Sequence, residues 1–109
     1  MPYDPALARR VQDALGSLPG LTEKKMFGGV GYLVNGNMAC GIHGDGLIVR
    51  LDPARYDEVL RQPHVRVFDL TGRPMKGWVV VGPAGCATDA ALRSWVAQGV
   101  AFAQTLPKK

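Results

Sequence analysis

Lys24-Lys25-Met26-Phe27-Gly28-Gly29-Val30-Gly31-Tyr32-Leu33-Val34-Asn35-Gly36-Asn37-Met38-Ala39 is the stretch on which the reading of this chain turns. Val30, Tyr32 and Val34 alternate with Gly31 and Leu33, the period-2 pattern of a strand. Asn35-Gly36 then suits a type I′ turn, in which both central residues take positive φ. A return strand is expected over 37–43, with Met38, Cys40 and Ile42 on one face. Gly44-Asp45-Gly46 turns the chain again, and Leu47-Ile48-Val49-Arg50-Leu51 supplies the next strand. Upstream, residues 22–27 read as extended and lead into Gly28-Gly29.

Outward from this meander the punctuation is helical. Asp4-Pro5 places a capping carboxylate before a proline suited to the first helical position. Leu7, Val11, Ala14, Leu15 and Leu18 follow at helical spacing, and Pro19-Gly20 is the expected stop. Asp52-Pro53 repeats the capping device before a short helix with Tyr56, Val59 and Leu60 inward, ended by Pro63. Strands are expected over 65–68 and 78–81, with a loop over 71–76 between them. A last helix, capped by Thr88 or Asp89, carries Leu92, Trp95, Val96, Gly99, Phe102, Ala103 and Leu106 as its apolar stripe. Glycine weakens a helix, so Gly99 within that stripe predicts close approach to the sheet.

The order is α-β(3–4)-α-β(2)-α. Hairpin links force antiparallel neighbours. The predicted fold is therefore α+β: a two-layer sandwich with about five to six antiparallel strands and helices on one face. With 109 residues the chain is read as one domain, 1–109, long enough to fold without staples. The composition, 47% hydrophobic and 20% charged, is that of a globular protein. No apolar run approaches a membrane span and the N-terminus does not resemble a signal peptide, so a cytoplasmic location is expected. Two cysteines, Cys40 and Cys86, are read as reduced, and the net charge of +4 is a mild basic excess.

No pattern of residues declares a chemistry. Gly28-Gly29-Val30-Gly31 lacks the strand before it and the helix after it that a phosphate cradle needs, and reads as a tight bend or bulge. Cys40 and His43, three apart on a strand, point to opposite faces and make neither a metal pair nor a nucleophilic pair. Ser17 and Ser94 sit on no nucleophile elbow, Asp52 is explained as a cap, and Asp57 and Glu58 as a solvated helix face. His64 reads as a surface residue. Among the basic residues, Arg66 shares a strand face with Phe68, and Arg50 with Ile48. If those strands pair, a basic and partly aromatic surface forms, although an ordinary solvated sheet face has the same composition. Trp78 reads equally as core or as an interface anchor.

At Lys25-Met26-Phe27-Gly28-Gly29-Val30-Gly31-Tyr32, Gly36-Asn37-Met38, Arg50-Leu51, Phe68, Arg73-Pro74-Met75-Lys76-Gly77-Trp78 and the closing Leu106-Pro107-Lys108-Lys109, the chain resembles the N-terminal domain of the TfoX/Sxy family. The resemblance implies a YjbR/TfoX-like two-layer sandwich. It also implies a role in gene expression, since TfoX proteins regulate natural competence, in some cases together with the cyclic-AMP receptor protein. It supplies no catalytic residues and no cofactor. Longer TfoX proteins carry a second, helical C-terminal domain, which is not expected in this chain.

The expected function is thus a non-enzymatic TfoX-like regulatory domain acting through contacts with a protein partner, by resemblance the transcription machinery. The candidate contact residues are Lys25, Phe27, Gly28, Gly29, Arg50, Arg73, Met75, Lys76 and Trp78. The first alternative is direct nucleic-acid binding through Lys24, Lys25, Arg50, Arg66, Arg73 and Lys76. The second is a small-molecule pocket near Gly28, Gly29 and Cys40. No metal, cofactor or membrane contact is expected, and a homodimer drawing on Val67, Val79 and Val81 stays open.

Overall fold

A six-stranded, wholly antiparallel sheet forms the body of the computed structural model, which describes residues 4–26, 29–68 and 76–107. In chain order the elements are α1 (Pro5–Leu15), β1 (Leu21–Met26), β2 (Gly29–Val34), β3 (Asn37–His43), β4 (Gly46–Arg50), α2 (Tyr56–Leu60), β5 (Val65–Val67), β6 (Trp78–Val81) and α3 (Asp89–Gln104). Single 3₁₀ turns at Pro53–Arg55 and Pro83–Cys86 lead into α2 and towards α3. The strand order is β1-β2-β3-β4-β6-β5, so the first four strands meander and β6 inserts between β4 and β5.

The punctuation acts as chemistry dictates. The Asp4 carboxylate accepts from the backbone N–H of Ala6 at 2.9 Å and of Leu7 at 3.4 Å. Asp52 accepts from Ala54 at 2.9 Å, and Thr88 Oγ1 from Ala91 at 3.1 Å. Asn35 and Gly36 have φ of 52° and 84°, the doubly positive pair of a type I′ turn. α1 ends earlier than its periodicity suggests. Gly16 turns at φ 60° while its N–H donates to the Gln12 carbonyl, so Leu18 packs from outside the helix.

All three helices cover one face of the sheet. Leu7, Val11 and Leu15 of α1, Tyr56 and Val59 of α2, and Leu92, Trp95 and Val96 of α3 meet Val30, Tyr32, Cys40, Ile42, Leu47, Val49, Val79 and Val81. Val79 and Val81 are fully buried there, so these two valines belong to the interior, while the half-buried Val67 packs against the same core from the edge strand β5. The edge strand β1 instead exposes Thr22, Glu23, Lys24 and Lys25, and charges of this kind discourage edge-to-edge pairing.

Residues 37–43 form the strand expected, but not with one continuous face. Tyr32 pairs with Cys40 while Leu33 pairs with Met38, which leaves Ala39 as the extra residue of a β-bulge. Ala39 and Cys40 both turn to the helices, and Met38 joins Ile48, Phe68, Val80 and Trp78 on the opposite face. The pairing of one side chain with the next is reset by one residue, so Met38 parts company with Cys40 and Ile42.

Gly99 sits over this bulge. A methyl group added there would overlap the carbonyl oxygen of Ala39, so α3 lies on β3 at backbone contact. In an exposed helix, replacing Gly by Ala stabilises by about 1 kcal/mol. Here the overlap outweighs that gain. Gly99→Ala should lower stability by about 1–3 kcal/mol in urea unfolding, the range for an overpacked interior, whereas Ala101→Gly on the exposed side of α3 should cost about 1 kcal/mol.

Candidate functional site

Arg50 is the last residue of β4 and pairs with Trp78, the first of β6. Their side chains therefore leave the same face of the sheet side by side. The Arg50 guanidinium carbon lies 5.1 Å from the Trp78 ring centroid and 5.6 Å from that of Phe102 on α3, within cation–π range of both. Phe68 also packs near Trp78, with ring centroids 6.2 Å apart and the rings tilted by 47°. Trp78, Arg50 and Phe102 are each half-buried, so the cluster reaches the surface.

No carboxylate lies within ion-pair distance of Arg50 among the described residues, and none of them accepts a hydrogen bond from it. Partial burial pulls the guanidinium below its usual range, because a desolvated cation is disfavoured. No described buried side-chain nitrogen or oxygen lacks a hydrogen-bond partner, and Arg50 as a residue stays half-buried.

Beside the cluster, Leu51, Asp52, Arg55, Ser94, Ala97 and Phe102 help to line an open, largely apolar recess of about 470 Å³. Arg55 Nη1 donates to Gln98 Oε1 at 3.3 Å across it. Nothing in the sequence reading singled out this recess or the part Phe102 plays. A signal was present, since Ser94, Ala97 and Ala101 recur on the side of α3 away from its apolar stripe.

The structure brings only some of the candidate residues together. Arg50, Trp78 and the exposed Lys76 lie at one end of β4 and β6. Lys25 is on the edge strand β1, with β2 and β3 between it and β4. Gly29 is buried against β3, where an added methyl group would overlap the Ile42 carbonyl. Phe27, Gly28, Arg73 and Met75 lie outside the described residues. For the basic surface, pairing with β6 puts Arg66 on the same face as Ile48 and Arg50, and Lys24, opposite Gly31, faces the same way.

The thiols are placed for packing. Cys40 is sealed between sheet and helices, and burial pushes it up to about 12. Cys86 is raised too, chiefly by burial, and its Sγ donates to the Gly82 carbonyl at 3.5 Å. His43 follows Ile42 along β3 and so faces away from Cys40. Tyr32 is likewise pushed up to about 12 by burial, and its hydroxyl donates to the Ala8 carbonyl at 3.5 Å.

Both cysteines should resist a soluble disulfide reagent in the folded protein at pH 8 and react on unfolding in urea. The folded state keeps a thiol proton on Cys40 that the unfolded state releases above about 9. This contribution to stability is therefore present in full below about pH 9 and is lost as pH rises towards about 12. Cys40→Ala should flatten that alkaline limb in urea titrations run at successive pH values.

Among the described residues, no helix is long and apolar enough to cross a membrane, and no group of three or more His, Cys, Asp or Glu is placed to hold a metal ion. No curated protein and no solved structure matched the chain. The family model of the TfoX N-terminal domain matches residues 13–103, a span that runs from within α1 almost to the end of α3 and includes Arg50, Trp78 and Phe102. This chain belongs to the TfoX N-terminal domain family.

Proposed function

We propose that this domain works without catalysis, as a regulatory module that contacts a protein partner in transcriptional control. The Arg50–Trp78–Phe102 cluster is the observation that carries this reading. Tryptophan and arginine are the side chains most enriched at energetic hot spots, and here both are half-buried, braced and open to solvent. Family membership supports the regulatory setting, since TfoX proteins act on gene expression. A photo-crosslinking residue in place of the exposed Lys76 should tag one specific protein in cell extract, and Trp78→Ala should cut that yield about tenfold, as loss of a hot spot does. Equal yields from both proteins would remove the cluster from the reading.

One observation favours a second reading, direct binding to nucleic acid. Strand register places Lys24 and Arg66 on the sheet face opposite the helices, and Arg50 leaves the end of β4 on that face, with its guanidinium 5.6 Å from the Phe102 ring of α3. A salt titration of fluorescence anisotropy on mixed-sequence duplex DNA decides it. Phosphate contacts through these residues predict an affinity that falls steeply with salt and a shallower slope in an Arg50→Ala, Arg66→Ala double variant. Absence of binding at low salt retires this reading.

A further inference from the structure

The recess beside Arg50 has largely apolar walls with Asp52 and Arg55 on its rim, and Arg50, next to its Phe102 wall, has no anionic partner among the described residues. Leu51 is buried at its base, and the Phe102 ring both walls it and flanks the Arg50 guanidinium. On α3 its lining runs from Ser94 to Thr105, roughly 16 Å at the helical rise per residue. That length suits two or three turns of a helix or a five-residue strand.

Charge decides what can lie there. The Asp52 carboxylate already caps the Ala54 N–H. Arg55 is held only loosely, by Glu58 at 4.0 Å and by Gln98. Arg50 has no anionic partner among the described residues, and its two aromatic neighbours hold the half-buried guanidinium in place. A guanidinium fixed in this way is prepared for two-pronged pairing with a carboxylate, because little side-chain freedom remains to be lost. A phosphate backbone fits less well, since the recess is mainly apolar and carries Asp52 on its rim.

We propose that this recess binds a short, acidic, amphipathic segment of a partner protein, with the apolar side chains of that segment against Leu51 and Phe102 and one of its carboxylates on Arg50. The proposal rests on the protein-contact reading above and specifies the partner's chemistry.

A displayed library of random 16-residue peptides is the probe, selected on the whole chain. Enriched peptides should carry an Asp or Glu spaced from two or more large apolar residues. Arg50→Gln should weaken their binding about tenfold, and Arg50→Lys by less, since it keeps the charge and loses the fork. Ala101 is exposed on the recess wall, so Ala101→Glu should repel such peptides and Ala101→Lys should retain them, with urea midpoints showing that all four variants fold. Peptides without acidic residues, or binding unaffected by Arg50→Gln and Ala101→Glu, would overturn the proposal and leave the protein-contact reading standing at another surface. Self-association that Ala101→Glu abolishes would overturn it in favour of a second copy of this chain. No enriched peptide at all would also overturn it, and steep salt-dependent binding to duplex DNA in that case would take the protein-contact reading with it.

Discussion

The approach of α3 to β3 at Gly99 is the contact on which the rest of the molecule depends. Backbone meets backbone there, because any side chain at 99 would enter the Ala39 carbonyl. The bulge at Ala39 and the missing side chain at Gly99 fit one another. The bulge turns Ala39 and Cys40 towards the helices, and the glycine lets α3 come down on them. Three residues later Phe102 arrives at the end of β4, beside Arg50, and Ala103 packs against Ala39 and Val34. A helix held further out would lift Phe102 away from the guanidinium. The surface cluster is thus a consequence of a packing constraint in the core.

The same sheet is apolar in part on both faces, and the two faces are used differently. The helix-covered face holds the large core, tied by directional contacts as well as by burial. Tyr32 reaches the Ala8 carbonyl, Trp95 Nε1 donates to Gly85, and Arg10 bridges α1 to the carbonyls of Cys86 and Ala87 ahead of α3. Asn37 is buried, and its amide donates to the Pro107 carbonyl at 2.8 Å, anchoring the chain beyond α3 to the β2–β3 hairpin. The opposite face carries a smaller group of Ile48, Phe68 and Val80, edged by Met38 and Trp78. Trp78 stands where this group meets Arg50, which gives its ring both an aromatic neighbour and a cation.

Much of the fold was legible because short-range rules spoke without competition. Asn35-Gly36 fixed a hairpin, Asp4-Pro5 and Asp52-Pro53 each capped what followed, and Gly99 announced close packing. The bulge was not legible, since Met38-Ala39-Cys40 contains neither glycine nor proline and alternates like a regular strand. Only its pairing with β2 reveals the extra residue. The insertion of β6 between β4 and β5 is equally a matter of long-range pairing. For the candidate site, strand parity correctly joined Arg50 to Ile48 and Arg66 to Phe68. It could not show Phe102 leaving the core stripe of α3 to meet Arg50, because helical periodicity gives a direction and not the identity of what lies there.

The energetics of Arg50 argue for recognition over support of the fold. Each cation–π contact contributes about 0.5–2 kcal/mol depending on desolvation, while the same burial disfavours the charge. An arginine serving stability alone would gain more from a carboxylate neighbour, and none of the described residues supplies one. The cation–π contacts and the desolvation act in opposite directions at Arg50, and a leucine or methionine would cover the Trp78 ring without burying a charge. What the arginine adds is a planar donor set in a fixed place at the surface. None of the described residues uses that donor set, and it is the feature that the proposed acidic segment would meet.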